Sequence, residues 1–180
     1  MHILRKDFRE ILEGEIISVS GGLFAGLLLV SFVNKLALIP GLFILLPGFL
    51  EMRGNISGSL ASRLSSGLFL GALKPRFHRN RILKGNILGS FLLVVILSLF
   101  LGTIAYVVNL WILQINSPSI IIVALVAGVL SNLIEIPLTV AMTFWLFRKG
   151  HDPNNVMGPY VTTIGDIVSI IALLIGILVV

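Results

Sequence analysis

A single carboxylate, Asp166, is set in an otherwise uncharged apolar run from Gly158 to Val180. In a bilayer such a group costs at least a few kcal/mol unless something compensates it. Burial alone pushes a carboxyl toward its neutral form, and a neighbouring cation restores its charge. The chemistry open to it is that of a hard anionic oxygen ligand, and the simplest partner is an ion. Gly158, Thr162, Asp166 and Ser169 follow one another by three- or four-residue steps, which places them on one helical face. The carbonyl of Thr162 lies one turn before Asp166. Asp152, at the mouth of this run, reads either as a helix cap or as an acid that meets incoming ions; capping is the commoner role for Asp-Pro beside a helix start.

Two other segments concentrate polar groups in apolar surroundings. Residues 51–67 hold two Arg, one Glu, one Asn and five Ser in seventeen residues. A helix of that composition cannot face lipid on its polar side. Asn55, Ser59, Ser62 and Ser66 form one oxygen-bearing stripe. Gly54 and Gly58 form a GxxxG pair that allows close helix approach. Pro47-Gly48 suggests a break in the helix near its outer end. Gly54, Ser59, Arg53 and Arg63 stand as pore-lining or structural polar residues, and Ser169 and Asp152 join them. In the fourth apolar run Ser131, Asn132, Glu135, Thr139 and Thr143 share a face, and Pro137 leaves the Leu133 carbonyl without a donor. Glu135 is either a second ion-site carboxylate or the counter-charge of Arg53 or Arg63; two buried arginines need such partners.

The elements that position these residues follow from hydropathy. The chain has 180 residues, of which 57% are hydrophobic and 12% charged, whereas globular domains carry about 25% charged residues. This is the composition of an integral membrane protein. Five apolar runs are long enough to span a bilayer, over about 15–34, 41–72, 85–111, 119–147 and 158–180. Ten Lys and Arg fall in three alternate segments, with Arg5, Lys6 and Arg9, then Lys74, Arg76, Arg79, Arg81 and Lys84, then Arg148 and Lys149. The other side holds Lys35. The positive-inside rule then puts the N-terminus in the cytoplasm and the C-terminus outside. The segment Met1 to Glu15 is expected to be retained, since it is too charged, and too long before its apolar run, for a cleaved signal peptide. Ile3, Leu4, Phe8, Ile11 and Leu12 share a helical face, so residues 3–13 form either an amphipathic helix on the inner membrane surface or an extension of the first span. No further soluble domain is expected.

Composition also excludes function classes. There is no cysteine, hence no disulfide or thiolate metal site. The net charge of +5 belongs to the loops and does not suggest nucleic acid as a partner. The histidines, His2, His78 and His151, all fall outside the apolar runs, and no HExxH or Walker A pattern occurs. An intramembrane enzyme lacks its catalytic pair here, and no organic cofactor is expected. A non-transporting scaffold subunit is the other alternative; it requires Asp166 to be ion-paired with Arg53 or Arg63.

Two segments resemble one family. The stretch from Pro47 through Glu51-Met-Arg-Gly54-Asn55 to Ser66 is similar to the second-helix motif of the MgtE and SLC41 magnesium transporters, where a Pro precedes a Gly-Asn pair and a helix of small residues. Asp152-Pro-Asn-Asn-Val-Met-Gly-Pro159-Tyr-Val-Thr-Thr-Ile-Gly-Asp166 resembles their fifth-helix motif. Leu60-Ala-Ser-Arg-Leu-Ser and the Asp-Pro-Asn-Asn-Val start are closer to the SLC41 branch, and the likeness runs over nearly the whole chain. It implies an all-α integral membrane protein whose residues 15–180 form a five-helix cation-transport domain, dimeric, with a Mg2+ pore at the interface. It implies that Asp166 lines the central ion site, beside the backbone oxygen of Thr162 and the side chain of Asn55. The residue before the fifth-helix Pro is often polar in bacterial MgtE and is Gly158 here. The large cytosolic sensing region of MgtE has no counterpart in these residues, so gating through it is not expected. SLC41 proteins carry two such units in one polypeptide, so a homodimer, or a heterodimer with a related half, would complete the pore.

A pore lined by the second, fourth and fifth runs is therefore expected. Mg2+ keeps several of its waters, and facing carboxylates repel each other without a divalent ion between them. Hard oxygen ligands favour Mg2+ over Zn2+ or Cu2+ and leave Mn2+, Co2+ and Ca2+ open.

Overall fold

A computed structural model describes residues 2–78 and 80–180, with side chains from Asp7 onward. Its first helix, α1, runs unbroken over His2–Ser31, so residues 3–13 continue directly into the first apolar run. The side chains of Ile3, Leu4, Arg5 and Lys6 lie outside the described residues, as does Arg79 of the basic loop. A single turn, α2 (Val33–Leu36), leads to a chain reversal at Gly41, whose φ of 77° is in the left-handed region. Glycine is required there twice over. Other residues are strained at that φ, and an added Cβ would lie 1.8 Å from Asn109 Oδ1. Asn109 Nδ2 donates to the Pro40 carbonyl at 2.6 Å and ties this reversal to the bundle.

Helix α3 (Leu42–Phe69) runs through Pro47 without the break its Pro-Gly pair suggests. The ring deprives only the Phe43 carbonyl of its donor, close to the helix start. Asn80 caps α4 (Arg81–Val108) by accepting from the Ile82 amide at 2.7 Å. A π-helical turn, Asn109–Leu113, extends α4, and α5 covers Ser119–Arg148 with Pro137 inside it. Helix α5 stops at Gly150, φ 78°, where Gly150 N donates to Phe147 O and His151 N to Leu146 O, both at 3.1 Å. These are the paired bonds of a glycine-terminated helix. Asp152 then caps α6 (Pro153–Val179), accepting from Asn154 N at 2.9 Å, with Pro153 in the first turn.

Among the described residues four stretches are long and apolar enough to cross a membrane: Asp7–Ser31, Arg81–Leu113, Ser119–Arg148 and Pro153–Val179. The fifth expected run, α3, is 28 residues long but carries Glu51, Arg53 and Arg63 along its length. Packing against α4, α5 and α6 buries Arg53, Ser57 and Ser65 and leaves Glu51 and Arg63 exposed. An apolar cluster around Leu45, Phe49, Val123, Ala127 and Leu173 fills one half of the interior. A second, around Leu60, Leu64, Ile136, Val140 and Phe144, fills the other. The residues of α3 and α5 between these clusters include Arg53, Ser57, Asn132 and Glu135, so a polar layer divides the core.

The three basic segments lie together at one end. His151 Nδ1 is 2.8 Å from Glu10 Oε1, which joins α1 to the α5–α6 connection. Phe77 and Phe144 stack edge to face at 5.6 Å, as do Phe69 and Phe147 at 5.2 Å, which brings in the α3–α4 connection.

Candidate functional site

Helix α6 is the floor of the site. Helix α1 packs along one side of it: Ser18 Oγ and Thr162 Oγ1 are 3.2 Å apart. Gly21 lets the backbones approach so closely that an added Cβ would come within 2.0 Å of Thr163 Cγ2. Helix α3 packs along the other side, where a Cβ at Gly54 would lie 3.9 Å from Thr162 Cγ2. α1 and α3 make no comparable contact with each other. The space between them is a cleft of about 610 Å³. Its walls carry Glu15 and Ser18 from α1, and Glu51, Gly54, Asn55 and Ser59 from α3. Gly158, Thr162 and Asp166 of α6 complete it.

Asp166 reaches this cleft with 30% of its side chain exposed. Behind it stands Arg53, fully buried. Arg53 Nη2 donates to Asp166 Oδ1 at 3.1 Å, and Nη1 donates to Glu135 Oε2 at 2.5 Å. Glu135, 3% exposed, also accepts from Ser57 Oγ at 3.3 Å. The guanidinium occupies a seat made by Gly165, where an added Cβ would fall 1.6 Å from Nη1. Arg53 Nε and Glu135 Oε1 are buried without a partner among the described residues. The site is thus a chain of charges, with a buried acid, a buried arginine and a half-exposed acid facing polar space.

The sequence-derived candidates separate into groups. Asp166, Asn55, Thr162, Gly54 and Ser59 come together on the cleft. Asn55 is held by its neighbour, donating from Nδ2 to Glu51 Oε1 at 3.0 Å. Thr162 Oγ1 lies within 3.2 Å of the Gly158 carbonyl and 3.0 Å of that of Pro159. Glu135 does not line the cleft; it is the partner of Arg53, and no residue of α5 is among the cleft walls. Arg63 turns toward α4, bonding Asn86 Oδ1 and Ser59 Oγ at 2.7 Å each and Ser90 Oγ at 3.2 Å. Ser169 is buried away from the cleft with its hydroxyl unpartnered among the described residues. Asp152 is the cap of α6.

The length of chain that builds α3 to α6 can be compared with known proteins. A family model, MgtE, described as a divalent cation transporter, matches residues 46–176. The chain belongs to the MgtE divalent cation transporter family. It is 25% identical over 141 residues to solute carrier family 41 member 2 of Gallus gallus, covering 73% of this chain and 24% of that protein. It is 28% identical over 148 residues to solute carrier family 41 member 3 of Rattus norvegicus, covering 76% of this chain and 31% of that protein. The human member 2 is 24% identical over 141 residues, with 73% and 24% covered. The chain therefore spans about a quarter to a third of the length of the curated relatives it matches. Membership in MgtE and the apolar helices make it a multi-pass membrane protein of a transporter family rather than an enzyme family.

The MgtE match contains the whole Arg53, Glu135 and Asp166 chain, but it leaves out residues 1–45. Glu15 and Ser18, which wall the cleft from α1, therefore lie outside it. Sequence reasoning took Glu15 as the boundary of an apolar run and gave Ser18 and Glu51 no role at the site. It passed over Gly165 entirely. The one available signal was that Glu51 stands four residues before Asn55, on the same face.

Proposed function

We propose that the chain moves Mg2+ across a membrane as a largely hydrated ion, along the cleft between α1 and α3, with Asp166 at the central site. The observation that carries this reading is that Asp166 faces a polar cleft in the family-matched region and gives only Oδ1 to Arg53. Asn55, Ser59 and Thr162 supply neutral oxygen-bearing neighbours, and α1 adds Glu15. Among the described residues no three His, Asp or Glu side chains gather into a cage. An arrangement of separated oxygens suits Mg2+, which dehydrates reluctantly and is held in large part through its waters; Mn2+ and Co2+ share that ligand preference.

In this reading α3 is the fifth membrane crossing, its charges turned to the cleft and to the helices around it. The basic end is cytoplasmic, by the positive-inside rule. The open side of the cleft is closed by a second copy or by a related half, and a twofold axis sets two Asp166 carboxylates across one path.

The Arg53–Asp166 pair is also what a non-transporting subunit would have. Against that stands the cleft itself, because neutralising Arg53 requires neither a polar space in front of Asp166 nor the Asn55, Ser59 and Thr162 that line it. Mg2+ flux into proteoliposomes tests the reading. The unaltered chain is expected to carry flux and Asp166→Asn to abolish it, with helicity and monodispersity retained. Flux unchanged in Asp166→Asn refutes the site, and a folded, reconstituted wild type with no flux favours the scaffold.

A further inference from the structure

We propose that Arg53 is a built-in counter-ion of the cation site, and that Glu135 sets the charge of that site by cancelling it. The inference rests on the reading of Asp166 as the site's carboxylate. Arg53 is fully buried and bonded to one acid on each side, Glu135 from α5 and Asp166 from α6. The glycine seat at position 165 fixes the guanidinium between them. An arginine stays charged under all ordinary conditions, so the group is permanently cationic. One arginine and two carboxylates leave the cluster with one net negative charge. Two copies facing each other then contribute two negative charges from these clusters, the complement of one divalent ion, with Glu15 and Glu51 as further acids on the cleft walls.

Glu135 is the element that makes this balance hold. Without its charge, Arg53 and Asp166 alone would sum to zero. The buried guanidinium would have Asp166 as its one remaining charged partner, because an unpaired buried charge is strongly disfavoured. The cleft would then present a neutral pair to an arriving ion. With Glu135 in place, the arginine is compensated from behind and Asp166 is free to attract a cation. Glu135 is thus a positioning residue that acts through Arg53 without touching the ion.

The test uses the full chain in proteoliposomes, with Mg2+ as the probe in both flux and equilibrium binding. Glu135→Gln is expected to lower Mg2+ flux and binding by about tenfold or more. The double variant Arg53→Met/Glu135→Leu removes both charges and returns the cluster to one net negative charge. Buried ion pairs tolerate replacement by apolar residues of similar volume. The double variant is expected to recover binding to near the wild-type level, which a purely structural role for Glu135 would not produce. Wild-type binding in Glu135→Gln overturns the proposal, as does a folded double variant that binds no better than Glu135→Gln. If Glu135→Gln does not fold, the double variant alone decides, since a folded protein that fails to bind Mg2+ overturns the charge account. Asp166→Asn measured alongside separates the two levels. Flux kept in Asp166→Asn overturns the reading of the site. Flux lost there but kept in Glu135→Gln overturns only the role given to Arg53 and Glu135.

Discussion

Replacing Gly165 by alanine sets helix propensity against the buried charge chain. By propensity alone the change favours α6, since glycine inside a helix is about 1 kcal/mol worse than alanine. The structure predicts the opposite. The new methyl would fall 1.6 Å from Arg53 Nη1, 2.3 Å from Cζ and 2.4 Å from Nη2. Those atoms end a long side chain, but Glu135 and Asp166 hold them from two sides, and the full burial of Arg53 leaves no solvent to move into. Displacing the guanidinium uncouples Glu135, and breaking a buried pair costs about 3–5 kcal/mol. Set against the propensity gain, the net loss is about 2–4 kcal/mol. The measurement is unfolding in mixed micelles by sodium dodecyl sulfate titration, followed by circular dichroism. Gly26→Ala is the reference, because an added Cβ there meets nothing within 4 Å; it is expected to leave stability unchanged or slightly raised. A Gly165→Ala protein as stable as the wild type would show that Arg53 is not confined as described.

Two further changes probe the frame that holds the site. Gly41→Ala combines a φ of 77° with a Cβ placed 1.8 Å from Asn109, and the backbone strain alone is worth about 1–3 kcal/mol; the same titration should show at least that loss, and an unchanged midpoint would refute the tie between the Pro40 reversal and α4. Asp152→Ala removes the cap of α6 and is expected to cost about 1 kcal/mol while leaving Mg2+ flux in proteoliposomes intact; a large fall in flux at normal stability would instead make Asp152 part of the ion path.

The sequence made helical faces legible. Asn55, Ser59, Thr162 and Asp166 could be grouped from three- and four-residue steps because the helix repeat is fixed by the backbone. That the basic segments share one end was legible for a similar reason, since ten basic residues alternate with the apolar runs. Rotation and register between helices were not legible. Arg53 had two candidate acids, and nothing local to Met52-Arg53-Gly54 says that it meets both Glu135 and Asp166. Glu135 lies on a polar face of α5 whether that face lines a cleft or closes on an arginine. Gly165 reads as one more small residue in an apolar helix, and its role exists only once the arginine arrives from α3. The same limit applies to the fourth run, expected on a pore wall: the cleft is walled by α1, α3 and α6 and by no residue of α5. The charges of α3 were read as needing partners away from lipid, but which of them would be covered was not legible: Arg53 is buried, while Glu51 and Arg63 are exposed.

The junction of α5 and α6 has a mechanical consequence. One helix stops at Gly150 with its last carbonyls already taken, and the next starts at Asp152 with its first amide already capped, so the connection holds no slack. The two helices form a tightly joined hairpin, one arm carrying Glu135 and the other Asp166. Helix α1 lies against one flank of that hairpin, with Gly21 at the contact and Glu10 beside His151, and reaches α3 through residues 37–41.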